Sequence, residues 1–296
     1  MITIAITGAS GLIGGALSRA LAARGDRVIA LVRRAPRGPS ERSWDPARGV
    51  LEPSAVGDVD VIVNLAGAGV GDKRWSTEHK TEILRSRVGA THTVVRAIIS
   101  SGRPIRLVNG SAVGFYGDRG EELLTEASPA GTGFLAEVVR AWEGAADEWV
   151  TAGGSVAFAR TGLVMTRDGG ALAPLVRATR LGAGGPLGSG RQFWPVISLR
   201  DEVRALVHLI DRPDITGPVN LVGLEPPRQR EVATAVARML HRPALLPAPR
   251  LGLRLVLGQF ADEILASQRV LPERLLQSGF THEDASLQAV LTRALG

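Results

Sequence analysis

Ile2-Thr3-Ile4-Ala5-Ile6-Thr7-Gly8-Ala9-Ser10-Gly11-Leu12-Ile13-Gly14 is the stretch on which the fold turns. Its first five residues are mostly apolar and β-branched, the composition of a buried strand. Glycine recurs at 8, 11 and 14. Leu12, Ala16, Leu17, Ala20 and Leu21 follow at helical spacing, and Gly25 stands where a left-handed cap would end the helix. Strand, glycine turn and helix in immediate succession make a cradle for the pyrophosphate of a dinucleotide. Gly8 allows the tight turn, Gly11 lets the backbone approach the phosphates, and Gly14 lets the helix pack on the strand. The unpaired N–H groups of the first helical turn receive the phosphate charge. Thr7, Gly8, Ser10, Gly11, Leu12, Ile13 and Gly14 are therefore the expected cofactor contacts.

Outward from this stretch, Val28 to Val32 reads as a second strand, ending at Arg33-Arg34 with Arg37 close by. An acidic residue near this point binds the ribose 2′-hydroxyl of NAD, whereas arginine accommodates the 2′-phosphate of NADP. No Asp or Glu occurs before Glu41, so Arg33 and Arg34 favour NADP. Asp60 to Leu65 is the next core strand, leaving through Ala66-Gly67. Ser76 caps a long helix whose face is Leu84, Val88, Thr91, Val95 and Ile98, and Gly102 and Pro104 end it. Ile105 to Val108 is a strand leading into the segment that carries Ser111 and Tyr116. A second long helix spans Phe134 to Thr151, with an apolar stripe, Leu135, Val138, Val139, Trp142, Ala146 and Trp149, assigned to the core. Val156 to Ala159 is a strand ending at Arg160-Thr161-Gly162, and Val219 to Val222 is one more.

This alternation predicts an α/β fold with a doubly wound parallel sheet. Residues 166–198 are rich in Gly, Pro and Arg, and the chain after Pro226 is mostly helical. The expected division is a dinucleotide-binding domain over 1–165, with returns to the sheet near 196–223. A smaller C-terminal substrate lobe would be built from 166–195 and 224–296.

Composition narrows the chemistry. The 296 residues contain no cysteine, which excludes disulfides, thiol nucleophiles and thiolate metal sites. The five histidines have no ligand spacing, so no metal is expected. Net charge is +6, and Lys73 and Lys80 are the only lysines, so arginine supplies the rest of the basic charge. No basic run occurs and aromatic residues make up only 4%, too few for nucleic-acid stacking platforms. Neither a signal peptide nor a membrane-spanning run is visible, which makes the cytoplasm the expected compartment. The expected partners are a small-molecule substrate and at most a second copy of the chain in a homodimer, with no nucleic acid and no membrane.

The glycine spacing G-x-x-G-x-x-G and Asn64-Leu65-Ala66-Gly67 resemble the short-chain dehydrogenase/reductase superfamily. Further stretches sharpen the match: Asp72 to Trp75, Ser86-Arg87, Ser111 to Asp118, Trp142-Glu143, Arg160-Thr161-Gly162, Gly184 to Gln192 and Gln268 to Leu275. Together they resemble the atypical extended members described as nucleoside-diphosphate-sugar epimerase-like. The resemblance implies an extended Rossmann domain, a short C-terminal extension, and NADP(H) or NAD(H) binding. It places Leu65, Ala66 and Gly67 beside the adenine ribose. Because ligands lie beyond the carboxyl ends of the strands in an open α/β sheet, the nicotinamide is expected between Ser111, Gly162-Leu163 and the 184–192 loop. Ser111 matches the serine that bonds a substrate carbonyl.

One departure is decisive for mechanism. Working members use Tyr-x-x-x-Lys, in which lysine and cofactor lower the tyrosine pKa toward working pH. The single tyrosine here is Tyr116, four residues before Gly120, and the helix that should carry the dyad reads Phe134-Leu135-Ala136-Glu137-Val138. Ser111 and Tyr116, the latter assisted by Lys73, are the remaining catalytic candidates. Phe134 is expected to make one substrate wall apolar, and Arg191 to hold an anionic substrate group. Two functions stay open: an NADP-dependent oxidoreductase or epimerase-like enzyme on a small molecule, or a dinucleotide-binding sensor or partner-holding protein with little catalysis.

Overall fold

The computed structural model describes residues 1–244 and 247–296. In chain order the elements begin β1 (Thr3–Thr7), α1 (Leu12–Arg24), β2 (Arg27–Val32), β3 (Glu41–Ser43), β4 (Val61–Asn64), α2 (Thr77–Ser101) and β5 (Arg106–Ala112). They continue β6 (Leu123–Leu124), α3 (Phe134–Gly144), α4 (Asp147–Thr151), β7 (Val156–Thr161), β8 (Leu163–Thr166), β9 (Gly169–Gly170), α5 (Leu172–Arg180), β10 (Val196–Ser198) and α6 (Leu199–Asp211). The last are β11 (Gly217–Leu221), α7 (Gln229–Met239), α8 (Arg250–Leu257), α9 (Phe260–Leu265), β12 (Arg269–Val270), α10 (Glu273–Gln277) and α11 (Leu287–Leu295).

Seven strands form one parallel sheet in the order β11-β7-β5-β4-β1-β2-β3. The chain runs outward from β1 to β3, then crosses back to β4 and runs the other way. The carboxyl ends of β1 and β4 therefore flank a topological switch point, where open α/β sheets bind ligands. Side chains alternate between two helical layers. Ile4 and Ile6 join Leu17, Leu21 and Leu206 on one face; Ala5 and Ile62 join Val94, Val95 and Ile98 on the other.

The helix boundaries follow their capping chemistry. Gly25 and Gly102 end α1 and α2 with φ of 92° and 65°, and the Ser76 hydroxyl accepts the His79 N–H at 3.2 Å. Of the expected α2 stripe, Thr91, Val95 and Ile98 are buried while Leu84 and Val88 are half-buried; Ile83, Ala90 and Val94 extend the buried face on one side. The expected helix over Phe134–Thr151 is two helices, α3 and α4, interrupted just after Gly144, where helix propensity is lowest. The glycine-rich stretch after 166 contains a helix, α5, and β8, β9 and β10 form a second small sheet. At Gly162 the chain passes from the large sheet to the small one. A Cβ there would lie 2.2 Å from the Pro195 carbonyl oxygen, so only glycine lets the two segments approach. No helix among the described residues is long and apolar enough to cross a membrane.

Candidate active site

The glycine turn has the geometry its sequence requires. Gly8 sits at φ +66°, and a Cβ there would lie 2.8 Å from the Leu65 carbonyl oxygen. A Cβ at Gly14 would lie 2.2 Å from the Gly8 carbonyl oxygen, so α1 and β1 pack backbone to backbone. Gly11 is the N-cap of α1, with its N–H turned back to Gly8 at 2.9 Å. Ser10 is exposed at this turn, while Leu12 and Ile13 open the helix and pack against the core. Leu65, Ala66 and Gly67 leave β4 directly beside it.

Thr7 has a different task from the one expected. Its hydroxyl donates to Asn64 Oδ1 at 2.7 Å and accepts the N–H groups of Leu65 (2.9 Å) and Ala66 (3.0 Å). That exhausts a hydroxyl's capacity of one donor and two acceptors, so Thr7 holds the β4 exit in place and has nothing left for a ligand. Asn64 in turn donates to Asn109 at 2.7 Å and Thr91 at 3.0 Å. Thr7, Asn64 and Asn109 are register partners on adjacent strands, so one buried polar row crosses the sheet beneath the crevice.

Arg33 and Arg34 stand at the carboxyl end of β2, both exposed. They are not equivalent. Arg34 pairs with both oxygens of Glu41 at 2.6 and 2.7 Å, and the Arg37 N–H adds a third bond at 2.7 Å. These bonds, Arg34 first, pull the Glu41 carboxyl down to about 2. Arg33 makes no ion pair among the described residues.

A cavity of about 550 Å³ opens over the carboxyl ends of β5 and β7. Ser111, Thr161, Gly162 and Leu163 line its floor. Leu135, Val138, Val139 and Trp142 of α3 form one wall, so the stripe assigned to the core also faces the cavity. Leu253 and Leu257 of α8 with Phe260 close it from the C-terminal side. Phe134 itself is displaced from the expected place. Its ring packs on Trp75 at 5.0 Å, under the Lys80 ammonium, and the next residue, Leu135, supplies the apolar wall.

Ser111 and Arg160 are register partners on β5 and β7, so both side chains reach the same face. Glu143, in the last turn of α3, meets them there. The Ser111 hydroxyl donates to Glu143 Oε1 at 2.6 Å, and Arg160 binds both carboxylate oxygens at 2.8 Å. Arg160 is 3% exposed and its guanidinium lies 3.5 Å from the Phe115 ring centroid. Its remaining nitrogen donates to the Tyr116 hydroxyl at 3.0 Å, which donates to Asn220 Oδ1 at 2.8 Å.

This network overturns the catalytic assignment of Tyr116. The phenol is fully buried behind Arg160 and does not line the cavity. Burial raises its pKa, against the opposing pull of Arg160, so it is a poor proton donor at neutral pH. Lys73 is exposed and pairs with Glu82 at 3.6 Å, remote from that role. Arg191 is also exposed and off the cavity lining, its carbonyl taken by Arg228. Tyr116→Phe is expected to lower stability by about 1–3 kcal/mol, because buried Arg160 and Asn220 groups lose a partner. Urea denaturation measures it, and an unchanged midpoint would contradict the network.

Glu143, Arg160 and Arg87 are the site residues that sequence reasoning left without a role. Each lies in a stretch that carries the family resemblance, yet its partners are distant in sequence. Glu202 lies outside the cavity lining, behind Thr161. It is fully buried on α6, takes the Thr161 hydroxyl at 2.7 Å, and its second oxygen has no partner among the described residues. Burial pushes its pKa up to about 8. The folded state then holds a proton that the unfolded state releases near the ordinary glutamate value of 4.5. Stability should therefore fall as pH rises from about 4.5 to about 8 and level off above. Thermal melts of Glu202→Gln against wild type should show the variant gaining, relative to wild type, across that window; parallel curves would exclude the effect.

Residues 4–223 match the NAD dependent epimerase/dehydratase family, and residues 248–294 match a domain of unknown function, DUF1731. An epimerase family protein of Mycobacterium bovis is 42% identical over 94% of this chain and 92% of its own length. A chloroplastic epimerase family protein of Arabidopsis thaliana is 36% identical over 94% of this chain and 82% of its own. Among solved structures, the human epimerase family protein SDR39U1 with NADPH superposes with a TM-score of 0.88 at 30% identity, covering 99% of both chains. A nucleoside-diphosphate sugar epimerase from Corynebacterium glutamicum gives 0.83 at 34% identity, over all of this chain and 58% of that one. The chain belongs to the NAD dependent epimerase/dehydratase family.

Proposed function

We propose that the protein is an NADP-dependent oxidoreductase or epimerase-like enzyme on a small molecule, with Ser111 and Glu143 serving in place of the tyrosine–lysine dyad. The observation that carries this reading is the Ser111 hydroxyl in the cavity floor, hydrogen-bonded to a carboxylate behind it. The glycine cradle fits a dinucleotide: side chains are excluded at Gly8 and Gly14, and the start of α1 offers N–H groups to phosphate. A bound nicotinamide would supply the hydride donor or acceptor.

The chain's own residues handle the proton. Because Ser111 gives its hydrogen to Glu143, its lone pairs are what it presents to the cavity. A substrate hydroxyl therefore donates to Ser111. As the hydroxyl is oxidised, its proton moves to Ser111 Oγ while the serine proton moves to Glu143 Oε1; reduction reverses both transfers. Arg160 holds the carboxylate in place with two parallel bonds. Leu253, Leu257 and Phe260 give the cavity an apolar C-terminal side next to this exchange.

Arg33 supports the choice of NADP, and the human relative's structure contains NADPH. Calorimetry should find NADPH bound more tightly than NADH. Arg33→Ala should weaken NADPH binding by roughly ten- to a hundred-fold, the worth of a charged hydrogen bond, and leave NADH unaffected. Equal affinities in the wild type would overturn the choice. A screen of carbonyl compounds for NADPH oxidation tests activity itself; tight binding with no oxidation by any of them would point to a sensor.

A further inference from the structure

Two arginines of this protein are driven by burial down to about 10, and they differ in what they touch. Arg106 spends all three nitrogens on the protein, bonding the carbonyls of Leu209, Pro213 and Ile215 and the Ser155 hydroxyl. Arg87 spends one. Its Nη1 donates to the carbonyls of Ala68 at 2.9 Å and Ile83 at 3.1 Å. Nε and Nη2 have no acceptor among the described residues, and no carboxylate pairs with the group. Yet Arg87 lines the cavity over Ser111.

The surroundings keep the guanidinium in position. A Cβ at Gly67 would lie 3.1 Å from Arg87 Cζ, so the glycine leaves the slot the guanidinium fills. On its other side the group lies over the Trp142 ring, 5.1 Å from its centroid. Trp142 rests on Gly110, where a Cβ would lie 2.9 Å from the ring, and so links Arg87 to the strand that carries Ser111. One cavity wall thus holds a cation two of whose nitrogens lack a protein acceptor among the described residues, which a ligand with negative oxygen atoms would satisfy.

We infer that the cavity takes an apolar small molecule bearing one carboxylate, held by Arg87 with the reacting carbon over Ser111. This rests on the functional reading above and names its substrate class. A nucleoside diphosphate fits worse. It brings two phosphates and a polar base, whereas among the described residues Arg87 is the single cation in a lining otherwise dominated by aliphatic and aromatic side chains. The one acidic group among the described lining residues is Glu263, whose carboxyl burial pushes above its ordinary pKa.

The test is calorimetry on the NADPH-loaded full chain with benzoate, phenylpropanoate and octanoate, their primary amides, and UDP-glucose. At least one acid should bind, and roughly tenfold or more tightly than its amide. Arg87→Met should abolish that preference without changing NADPH affinity, and Arg87→Lys, which keeps a cation, should retain part of it. The inference is overturned if no acid binds, if acids and amides bind alike, or if UDP-glucose binds more tightly than every acid. Loss of NADPH affinity in Arg87→Met with acid preference intact would assign Arg87 to the cofactor instead. Failure of the wild type to bind NADPH would overturn the cofactor reading alone, since the acid–amide comparison can still be made on unloaded protein.

Discussion

Arg160→Met is expected to lower the stability of the protein by about 3–5 kcal/mol, the cost of leaving one member of a buried ion pair without its partner. Arg160 touches Glu143, Tyr116 and the Phe115 ring at once, so its removal leaves a carboxylate and a phenol oxygen unsatisfied. Methionine restores much of the volume and none of the donors. Replacing both members should cost less than the two single changes together, because the stranded charge is gone. Guanidinium denaturation of Arg160→Met, Glu143→Gln and the double variant gives the coupling. Simple additivity would mean that the pair contributes no interaction energy.

Glu143→Gln should slow turnover by about a hundred-fold or more, the usual worth of a positioned proton acceptor. Glutamine keeps the size of the side chain and can still receive Arg160 through its oxygen. It cannot take a proton, and its amide can donate to Ser111, which turns the serine hydrogen toward the cavity. With the carbonyl compound that performs best in the NADPH screen, kcat should fall far more than KM changes. A purely structural role would lower the amount of folded protein and leave kcat per folded molecule intact. Ser111→Ala should show a loss of similar size, and the double variant little further loss, since the two residues act as one unit.

Much of the large sheet was legible because local chemistry dictates it. β1, β2 and β4 are short β-branched runs, and Gly25, Ser76 and Gly102 mark helix ends by their own backbone or side-chain needs. The glycine turn could be read for the same reason: Gly8 and Gly14 respond to contacts within a few residues or on the adjoining strand. The Ser111–Glu143–Arg160 cluster was legible only at Ser111. The three residues come from β5, α3 and β7, and only the β5–β7 register sets the serine beside the arginine. Tyr116 illustrates the opposite error. As the single phenol it looked like a surviving catalytic group, but its environment is set by Asn220, more than a hundred residues away. Thr7 was read as a ligand contact because it adjoins the glycines, and only the close passage of Leu65 and Ala66 shows where its hydrogen bonds go. The helix α5 was hidden by the glycines and prolines around it.

The hydrogen-bonded line that begins at Ser111 does not stop at Asn220. The Asn220 side chain donates to the Leu271 carbonyl at 3.0 Å, and its backbone N–H reaches Glu126, which also accepts the Arg274 N–H at 3.3 Å. Ser111 is thus braced, through Glu143, Arg160, Tyr116 and Asn220, by residues of the C-terminal region. A chain given another tail in place of residues 248–294 would lose Leu271 and Arg274, the anchors at the far end of this line, so the C-terminal region serves as a strut under the cavity floor.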